Sequence, residues 1–330
     1  MIKLEPYKKR NKLKNIKKNL KGTIVPVPSF YKDNLNLDYD KLGKFIDFQL
    51  RNNINNFYLA LSASEFEFMS EKERISIAKF ISKIIPKKSI LLSQPIGSGS
   101  LESQIDEGKR MIDAGADALV IKPQSLKENA NFFSSKYLSR SYSPKKHDGF
   151  YISFMEKFSI STKCPLVYHD HPFSNGFGLS LNGIKELMKN KFIEAFKVHT
   201  PDPGHLKNQY NLIRKKTASF DGFGKTLQFW SLQWGATARH SCWSWFEPNI
   251  DNKFFKYMIN KKFKEAIKII NRETPIIDVI RITGFPGYKE LMRLSGLPYS
   301  KSRIPGEKLS LNQRKLISKA YKQIKKIKIV

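Results

Sequence analysis

The feature that most constrains the fold of this 330-residue chain is an alternation of short apolar runs with helix-like segments, repeated eight times between residues 21 and 270. The apolar runs have the length of β-strands rather than of buried helices. These candidate strands cover residues 22–27, 57–61, 90–93, 118–121, 166–168, 193–198, 218–220 and 236–241. Strict alternation predicts a parallel sheet, because parallel neighbours must be joined by a crossover, usually a helix.

Eight strand–helix pairs within about 250 residues predict a closed (β/α)8 barrel of the TIM type. A doubly wound open sheet is the structural alternative, but no GxGxxG motif follows the first strand. Helix boundaries support the assignment: Ser70 and Glu73 have the spacing of a capping box, and Gly115 is placed to end a helix that starts near residue 100.

The chain divides into three predicted parts. Residues 1–20 form a basic N-terminal arm and residues 21–271 form the barrel. Strand signals stop after residue 271, so residues 272–330 are predicted to be a small C-terminal helical appendage.

The net charge is +30, from 59 Lys and Arg against 29 Asp and Glu. Residues 1–22 carry +8 and residues 301–330 carry +9, so the charge is concentrated at the two ends. This distribution argues against nucleic-acid binding as the main function. The rival hypothesis from another class is a noncatalytic barrel that binds anions or nucleic acid.

Several absences in the sequence bear on location. The two cysteines, Cys164 and Cys242, form no CxxC motif. No apolar stretch has the length of a membrane span, and the N-terminus lacks the apolar core of a signal peptide. We therefore expect a cytoplasmic protein without disulfides.

Two strand ends carry candidate catalytic groups, because such barrels place their chemistry at the carboxyl ends of the strands. Lys197 ends the sixth strand, and alternation puts it on one face with Ile193 and Ala195. If that face points inward, burial would free its amine to attack a carbonyl. Tyr168 ends the fifth strand and is expected to exchange protons with it. The alternatives are a solvated lysine and a core tyrosine.

Short motifs then follow in a recognisable order: VPVPSF at 25–30, LSASE at 61–65, AGAD at 114–117, AFK at 195–197 and SRIP at 302–305. Together with Tyr168, this order resembles the dihydrodipicolinate synthase/N-acetylneuraminate lyase family over about residues 21–310. The resemblance implies a class I aldolase or dehydratase, a homo-oligomer (dimer or tetramer), in which Lys197 forms a Schiff base with pyruvate or another 2-oxo acid. No cofactor is implied. Tyr168 would relay protons, and Ser62 and Ala63 would line the carboxylate site.

The departures from the family pattern bear on the substrate. Ala63 stands where the family has a second hydroxyl, Gln124 and Ser125 stand where it often has tyrosines, and no arginine follows Tyr168 closely. These differences argue against dihydrodipicolinate synthase proper, which remains an alternative. They favour a sugar-derived 2-oxo acid, cleaved by an aldolase or dehydrated as a keto-deoxy sugar acid. Arg239, near the end of the eighth strand, counts against this preference, since its guanidinium could supply the missing contact to a second carboxylate.

Five of the six histidines follow candidate strands five, six and eight: His169, His171, His199, His205 and His240. We predict that His169, His199 and His240 bind substrate and that no metal is needed. The competing mechanism is a metal site built from these histidines and Asp170, since imidazole and carboxylate suit divalent transition metals. Cys242 could be a nucleophile beside His240, but a small apolar barrel residue is the favoured interpretation.

Overall fold

The computed structural model describes residues 14–60, 62–97, 100–123, 144–171, 178–200, 202–327 and 329. Eight parallel strands close a barrel in the order in which they occur along the chain. They are β1 (Gly22–Pro26), β2 (Asn56–Leu59), β3 (Ile90–Ser93), β4 (Ala118–Ile121), β5 (Leu166–Asp170), β6 (Ile193–Val198), β7 (Ala218–Asp221) and β8 (Ala238–His240). The predicted (β/α)8 barrel is confirmed.

Helices surround the barrel and continue beyond its last strand. They are α1 (Ile16–Asn19), α2 (Tyr39–Arg51), α3 (Glu71–Ile84), α4 (Leu101–Asp113), α5 (Pro144–Thr162), α6 (Leu181–Leu187), α7 (Pro203–Ile213), α8 (Lys225–Gln233), α9 (Pro248–Ile259), α10 (Phe263–Leu294) and α11 (Leu311–Lys326). In the described part of the chain, none of them is long and apolar enough to cross a membrane.

The predicted helix boundaries have a clear local cause. At the start of α3, the Ser70 hydroxyl accepts from the Glu73 N–H and the Glu73 carboxylate accepts from the Ser70 N–H, which completes the capping box. After α4, Gly115 adopts a φ of 105°, and a Cβ there would lie 2.5 Å from Ser82 Cβ. Glycine is therefore required at this turn for both conformation and space.

A bulge separates the two strands that carry the predicted catalytic residues. Leu166 pairs with Ile193, but Val167 pairs with Ala195, so Glu194 is an extra residue on β6. Beyond the bulge, Tyr168 pairs with Phe196 and His169 pairs with Lys197. Because paired residues of neighbouring strands share a face, the bulge places His169 beside Lys197 on the inner face.

The C-terminal segment is continuous with the barrel helices. Helix α10 runs through the predicted boundary at residue 271 and contains Pro275, where a separate helix was predicted to begin. It bends at Gly284, whose φ of 57° and ψ of −144° are not helical. Helix α11 packs on the barrel–α10 core through Ile317, Ala320 and Ile324. The predicted appendage is therefore helical, as expected, but shares one core with the barrel.

Candidate active site

A cavity of about 390 Å³ opens at the carboxyl ends of the strands. Barrels of this type build their active sites at this end. Polar and ionisable residues on or just after six of the strands line it: Ser62, Gln94, Lys122, His169, His171, Lys197, His199, Arg239, His240, Ser241 and Cys242. Lys225, Gln228 and Tyr288, from the helices behind the cavity, line it as well. Among the described residues no Asp or Glu side chain lines it. The cavity is therefore basic and suited to an anionic ligand.

Lys197 is in this cavity, as predicted, and is buried with 4% of its surface exposed. Burial, helped by the charge of Lys122, lowers the pKa of the Lys197 amine to about 7. Its Nζ lies 4.8 Å from the centroid of the Tyr58 ring, which stacks beneath the charge. A large fraction of the amine is therefore neutral near pH 7, and the neutral form is the nucleophile.

Tyr168 does not lie in the cavity, and its predicted position is corrected by the bulge. Its ring packs edge-on against Tyr151 of α5 at 6.5 Å and against Phe196 at 5.8 Å, between the barrel and the helices. Burial raises the pKa of its hydroxyl well above the usual value. Alternation within each strand could not show this, because the register between β5 and β6 shifts at Glu194 and pairs Tyr168 with Phe196.

The position beside Lys197 is taken by a cluster of imidazoles. His169 Nε2 and His199 Nδ1 are 2.9 Å apart and share a hydrogen bond. The His171 ring centroid lies 5.2 Å from that of His169 and 4.8 Å from that of His199. Burial, with the charge of Lys197, lowers the pKa values of His169 and His199 well below the usual value. Both rings are therefore neutral at neutral pH and can accept or donate a proton.

Of the residues predicted as possible metal ligands, the structure brings these three histidines together. Their ligand nitrogens lie within 4.8 Å of one another. Two nitrogens bound to one Zn²⁺ at about 2.1 Å cannot be more than about 4.2 Å apart. Asp170 points away, since its carboxylate accepts a hydrogen bond from Gln209 of α7 at 2.6 Å. The three rings would have to close further to hold an ion.

His240 and Cys242 complete the wall after β8. His240 Nε2 is buried and has no hydrogen-bond partner among the described residues, and its ring lies 5.6 Å from that of Tyr58. Burial raises the pKa of the Cys242 thiol to about 12. Cys242 is therefore protonated at neutral pH, which argues against its being a nucleophile.

The predicted carboxylate site follows β2. Ser62 and Ala63 both line the cavity. The next residue shapes the turn: Ser64 Oγ donates to the Val27 carbonyl at 2.6 Å and accepts from the Ala60 N–H at 3.0 Å. Because the Ala63 side chain has no donor, this loop offers the Ser62 hydroxyl and backbone N–H groups to a carboxylate.

Arg239 does not supply a free cation, although it contributes to the cavity wall. Its guanidinium pairs with Asp251 of α9 at 2.9 Å, and its Nε donates to Gln228 of α8 at 2.7 Å. Arg239 therefore belongs to a buried ion cluster at the cavity wall, and its predicted contact with substrate stays a prediction. Its position on β8 alternates with that of His240, which faces inward.

Sequence reasoning missed two residues of the site. Lys122 directly follows β4 and lines the cavity, and it has no ion pair among the described residues. Lys197 was selected because it lies at the carboxyl end of a strand, and Lys122, one position past the end of β4, meets the same criterion. Tyr58 lies on β2, and its hydroxyl donates to Gln94 at 2.6 Å. Its neighbours in the sequence are apolar, so nothing there indicated that it would lie beside Lys197. Gln124, Ser125 and residues 173–176 lie outside the described residues.

Comparison with known proteins adds an independent line of information. A model of the dihydrodipicolinate synthetase family matches residues 19–131 and 141–324. A 4-hydroxy-tetrahydrodipicolinate synthase of Brachyspira hyodysenteriae is 23% identical over 293 residues, which cover 88% of this chain and 92% of that protein. A protein of Escherichia coli, named a probable 2-dehydro-3-deoxy-D-pentonate aldolase, is 22% identical over 303 residues, covering 87% and 91%.

The fold comparison agrees with the sequence comparison. The crystal structure of N-acetylneuraminate lyase from Fusobacterium nucleatum complexed with pyruvate superposes with a TM-score of 0.77 at 19% identity. The match covers 92% of this chain and 97% of that one. The barrel and its C-terminal helices therefore share the architecture of that lyase.

Proposed function

The chain belongs to the dihydrodipicolinate synthetase family, and from that premise we propose that it is a lyase in which Lys197 forms a Schiff base with a 2-oxo acid. The observation that carries the proposal is the Lys197 amine, buried at the rim of a basic cavity with a pKa lowered to about 7. A lysine is a poor nucleophile when it is charged, so a lowered pKa is what this reaction requires.

The chemistry starts with attack of the neutral amine on the keto carbon, C2. The C–N bond forms while the carbonyl oxygen takes a proton, which gives a carbinolamine. A further proton lets the hydroxyl leave as water and leaves a protonated imine, so the two steps together take up one proton from solvent. The imine withdraws electrons from C3. If C4 carries a hydroxyl, loss of its proton lets the C3–C4 bond break, giving an aldehyde and an enamine that is protonated at C3 and hydrolysed.

The substrate we propose is a sugar-derived 2-oxo acid, cleaved to pyruvate and a hydroxylated aldehyde or dehydrated. The carboxylate would bind to the loop of Ser62 and Ala63 and to the free cation of Lys122. The imidazoles of His171 and His240 offer both donors and acceptors, which a polyhydroxylated chain needs. A family relative named as a pentonate aldolase and a related lyase complexed with pyruvate support this class.

The second candidate is synthesis from pyruvate and aspartate semialdehyde. It is supported by the relatives named 4-hydroxy-tetrahydrodipicolinate synthase. A side-by-side assay of keto-deoxy sugar acids against pyruvate plus aspartate semialdehyde separates the two. Turnover of the semialdehyde without turnover of any sugar acid would decide for the second candidate.

The direct test of the Schiff base is reduction with borohydride in the presence of pyruvate. The expected result is a mass increase confined to the peptide that contains Lys197. Lys197→Arg should abolish the labelling, since arginine stays protonated. Lys216→Arg, at an exposed position, is the matched control and should label fully. Labelling at another lysine, or none with a panel of 2-oxo acids, would refute the proposal.

A further inference from the structure

We propose that His169 is the general base and acid of this reaction and that His199 positions it. The inference rests on the proposed function, because the proton transfers in question follow imine formation at Lys197. It assigns to His169 the role that the sequence suggested for Tyr168, a residue that lies outside the cavity.

The first support is position. His169 is the direct neighbour of Lys197 across the β5–β6 ladder, and both line the same cavity. Neighbouring parallel strands are about 4.8 Å apart, so the two side chains leave adjacent backbone positions on the same wall of the cavity. The titratable groups that face His169 are Lys197, His199, His171 and Lys122. Among the described lining residues there is no carboxylate to compete for the proton.

The second support is the arrangement of hydrogen bonds around the two rings. Burial lowers the pKa of the His199 ring, and the Gly222 backbone acts in the opposite direction. A Cβ at Gly222 would lie 1.8 Å from His199 Cε1, so only glycine leaves room for this ring. The two rings share one hydrogen bond, between His169 Nε2 and His199 Nδ1 at 2.9 Å, and its direction depends on the tautomers of the two rings. The proposal requires the tautomer in which His169 Nε2 donates and His199 Nδ1 accepts.

The third support is the remaining nitrogen. His169 Nδ1 is buried and has no hydrogen-bond partner among the described residues. In the tautomer that the proposal requires it carries a lone pair, and an unpartnered buried acceptor costs free energy. A nitrogen held in this state by an orienting partner has the arrangement of a general base. In this proposal His169 Nδ1 is the base, and His199 acts through it as a positioning residue.

The proton steps balance. His169 takes a proton from C3 of the imine, and the C3–H electrons form the enamine double bond while the positive charge on nitrogen is neutralised. The imidazolium is stabilised by its hydrogen bond to His199 and returns the proton to C3 in the reverse step. In heavy water the returned proton is a deuteron, so the methyl group of pyruvate exchanges its hydrogens.

A metal ion on the same histidines is the rival assignment. Three observations disfavour it: the nitrogens span up to 4.8 Å, two lysines face the cluster, and no carboxylate lines the described cavity. A divalent cation would have to enter a cavity that is already basic. The metal is therefore an outcome that the experiment must be able to detect.

The experiment measures two signals on the purified full chain with pyruvate: borohydride labelling of Lys197 and deuterium exchange of the pyruvate methyl group by NMR. His169→Gln should still be labelled, while its exchange rate should fall by about 100-fold or more. His205→Gln, on α7 and outside the described cavity lining, is the matched control and should exchange normally. Added imidazole should restore exchange in His169→Ala but not in Lys197→Ala.

The positioning role is tested at His199. His199→Ala should slow exchange with little change in the pyruvate concentration needed for half-maximal rate. His199→Asn should recover most of the rate, because its amide oxygen can accept from His169 Nε2. Equal rates in the two variants would contradict a positioning role.

Two results would overturn the inference while leaving the Schiff base in place. One is normal exchange in His169→Gln. The other is a stoichiometric metal ion in the purified protein that is lost in His169→Gln, together with exchange that stops on chelation. Failure of pyruvate and of every other 2-oxo acid to label the wild-type chain would instead refute the proposed function.

Discussion

At the scale of single residues, the cavity depends on the protonation of two neighbouring lysines. Lys122 and Lys197 repel each other, and burial lowers the pKa of both amines. Lys122 is the more exposed of the two and has Glu67 nearby, which raises the pKa of its amine. The pair can therefore divide its roles, with Lys122 charged to hold an anion and Lys197 neutral to attack a carbonyl.

The first prediction is the pH dependence of Schiff-base formation. The pKa of Lys197 is lowered to about 7 from 10.5, so the amine is neutral above that pH. Labelling by pyruvate and borohydride should therefore rise with pH through about 7 and then level off. The check is the apparent second-order rate of labelling between pH 5.5 and 9.0. A rate that kept rising up to pH 9.0 would show an ordinary lysine.

Replacing the neighbour gives the second prediction. Lys122→Met removes a positive charge but keeps most of the apolar side chain. The pKa of Lys197 should rise, so the labelling profile should shift to higher pH. The KM for pyruvate should increase by about tenfold, as for loss of one charge-assisted contact of about 1.5 kcal/mol. Lys216→Met is the exposed control, and an unchanged profile in Lys122→Met would contradict the coupling.

At the scale of elements, the sequence predicted the number and order of the strands. It predicted less well which face of its strand each side chain occupies. Eight short apolar runs were enough to predict the barrel, because a closed parallel sheet requires that alternation. The face of Tyr168 depended on one extra residue, Glu194. Its carboxylate accepts from the N–H groups of Ile16 at 2.6 Å and Lys17 at 3.1 Å, at the start of α1. That contact joins residues nearly 180 positions apart, so no local pattern could predict it.

The elements behind the cavity are joined by a buried ion cluster, which the sequence did not reveal. Asp251 of α9 pairs with Lys225 of α8 at 2.7 Å and with Arg239 of β8 at 2.9 Å. Lys225 also pairs with Glu273 of α10 at 2.7 Å. The two cations lower the pKa of Asp251 against the effect of burial. The cluster therefore ties α8, α9 and α10 to the last strand.

The third prediction concerns this cluster. Asp251→Ala leaves Lys225 and Arg239 buried without their shared partner, which should lower the free energy of unfolding by about 3–5 kcal/mol. Asp106→Ala, which breaks an exposed pair with Lys109, should change it by less than about 1 kcal/mol. Urea denaturation of both variants provides the comparison. Equal effects would mean that the cluster adds no more than a surface pair.

At the scale of the whole molecule, the C-terminal segment is part of the site rather than an attachment to it. Lys289 of α10 forms an ion pair with Glu65, which follows the carboxylate loop and has a φ of 53°. The Arg303 N–H donates to the same carboxylate at 2.9 Å, and Ser300 Oγ donates to the Ser29 carbonyl at 3.2 Å. The far end of the chain thus holds the loops after β1 and β2. The predicted homo-oligomer and cytoplasmic location stay predictions.

The last prediction tests this long-range support. In Lys289→Met the Glu65 carboxylate loses its ion pair in a buried setting, so the turn that presents Ser62 and Ala63 should loosen. The KM for pyruvate should rise more than the maximal exchange rate falls, because the loop binds the carboxylate while Lys197 and His169 stay in place. Glu65→Gln combined with Lys289→Met should recover part of the lost stability, since no unpaired charge remains. Lys301→Met, at an exposed position of the same segment, should leave both quantities unchanged. If Lys289→Met lowered stability without changing KM, the segment would support the fold but not the carboxylate site.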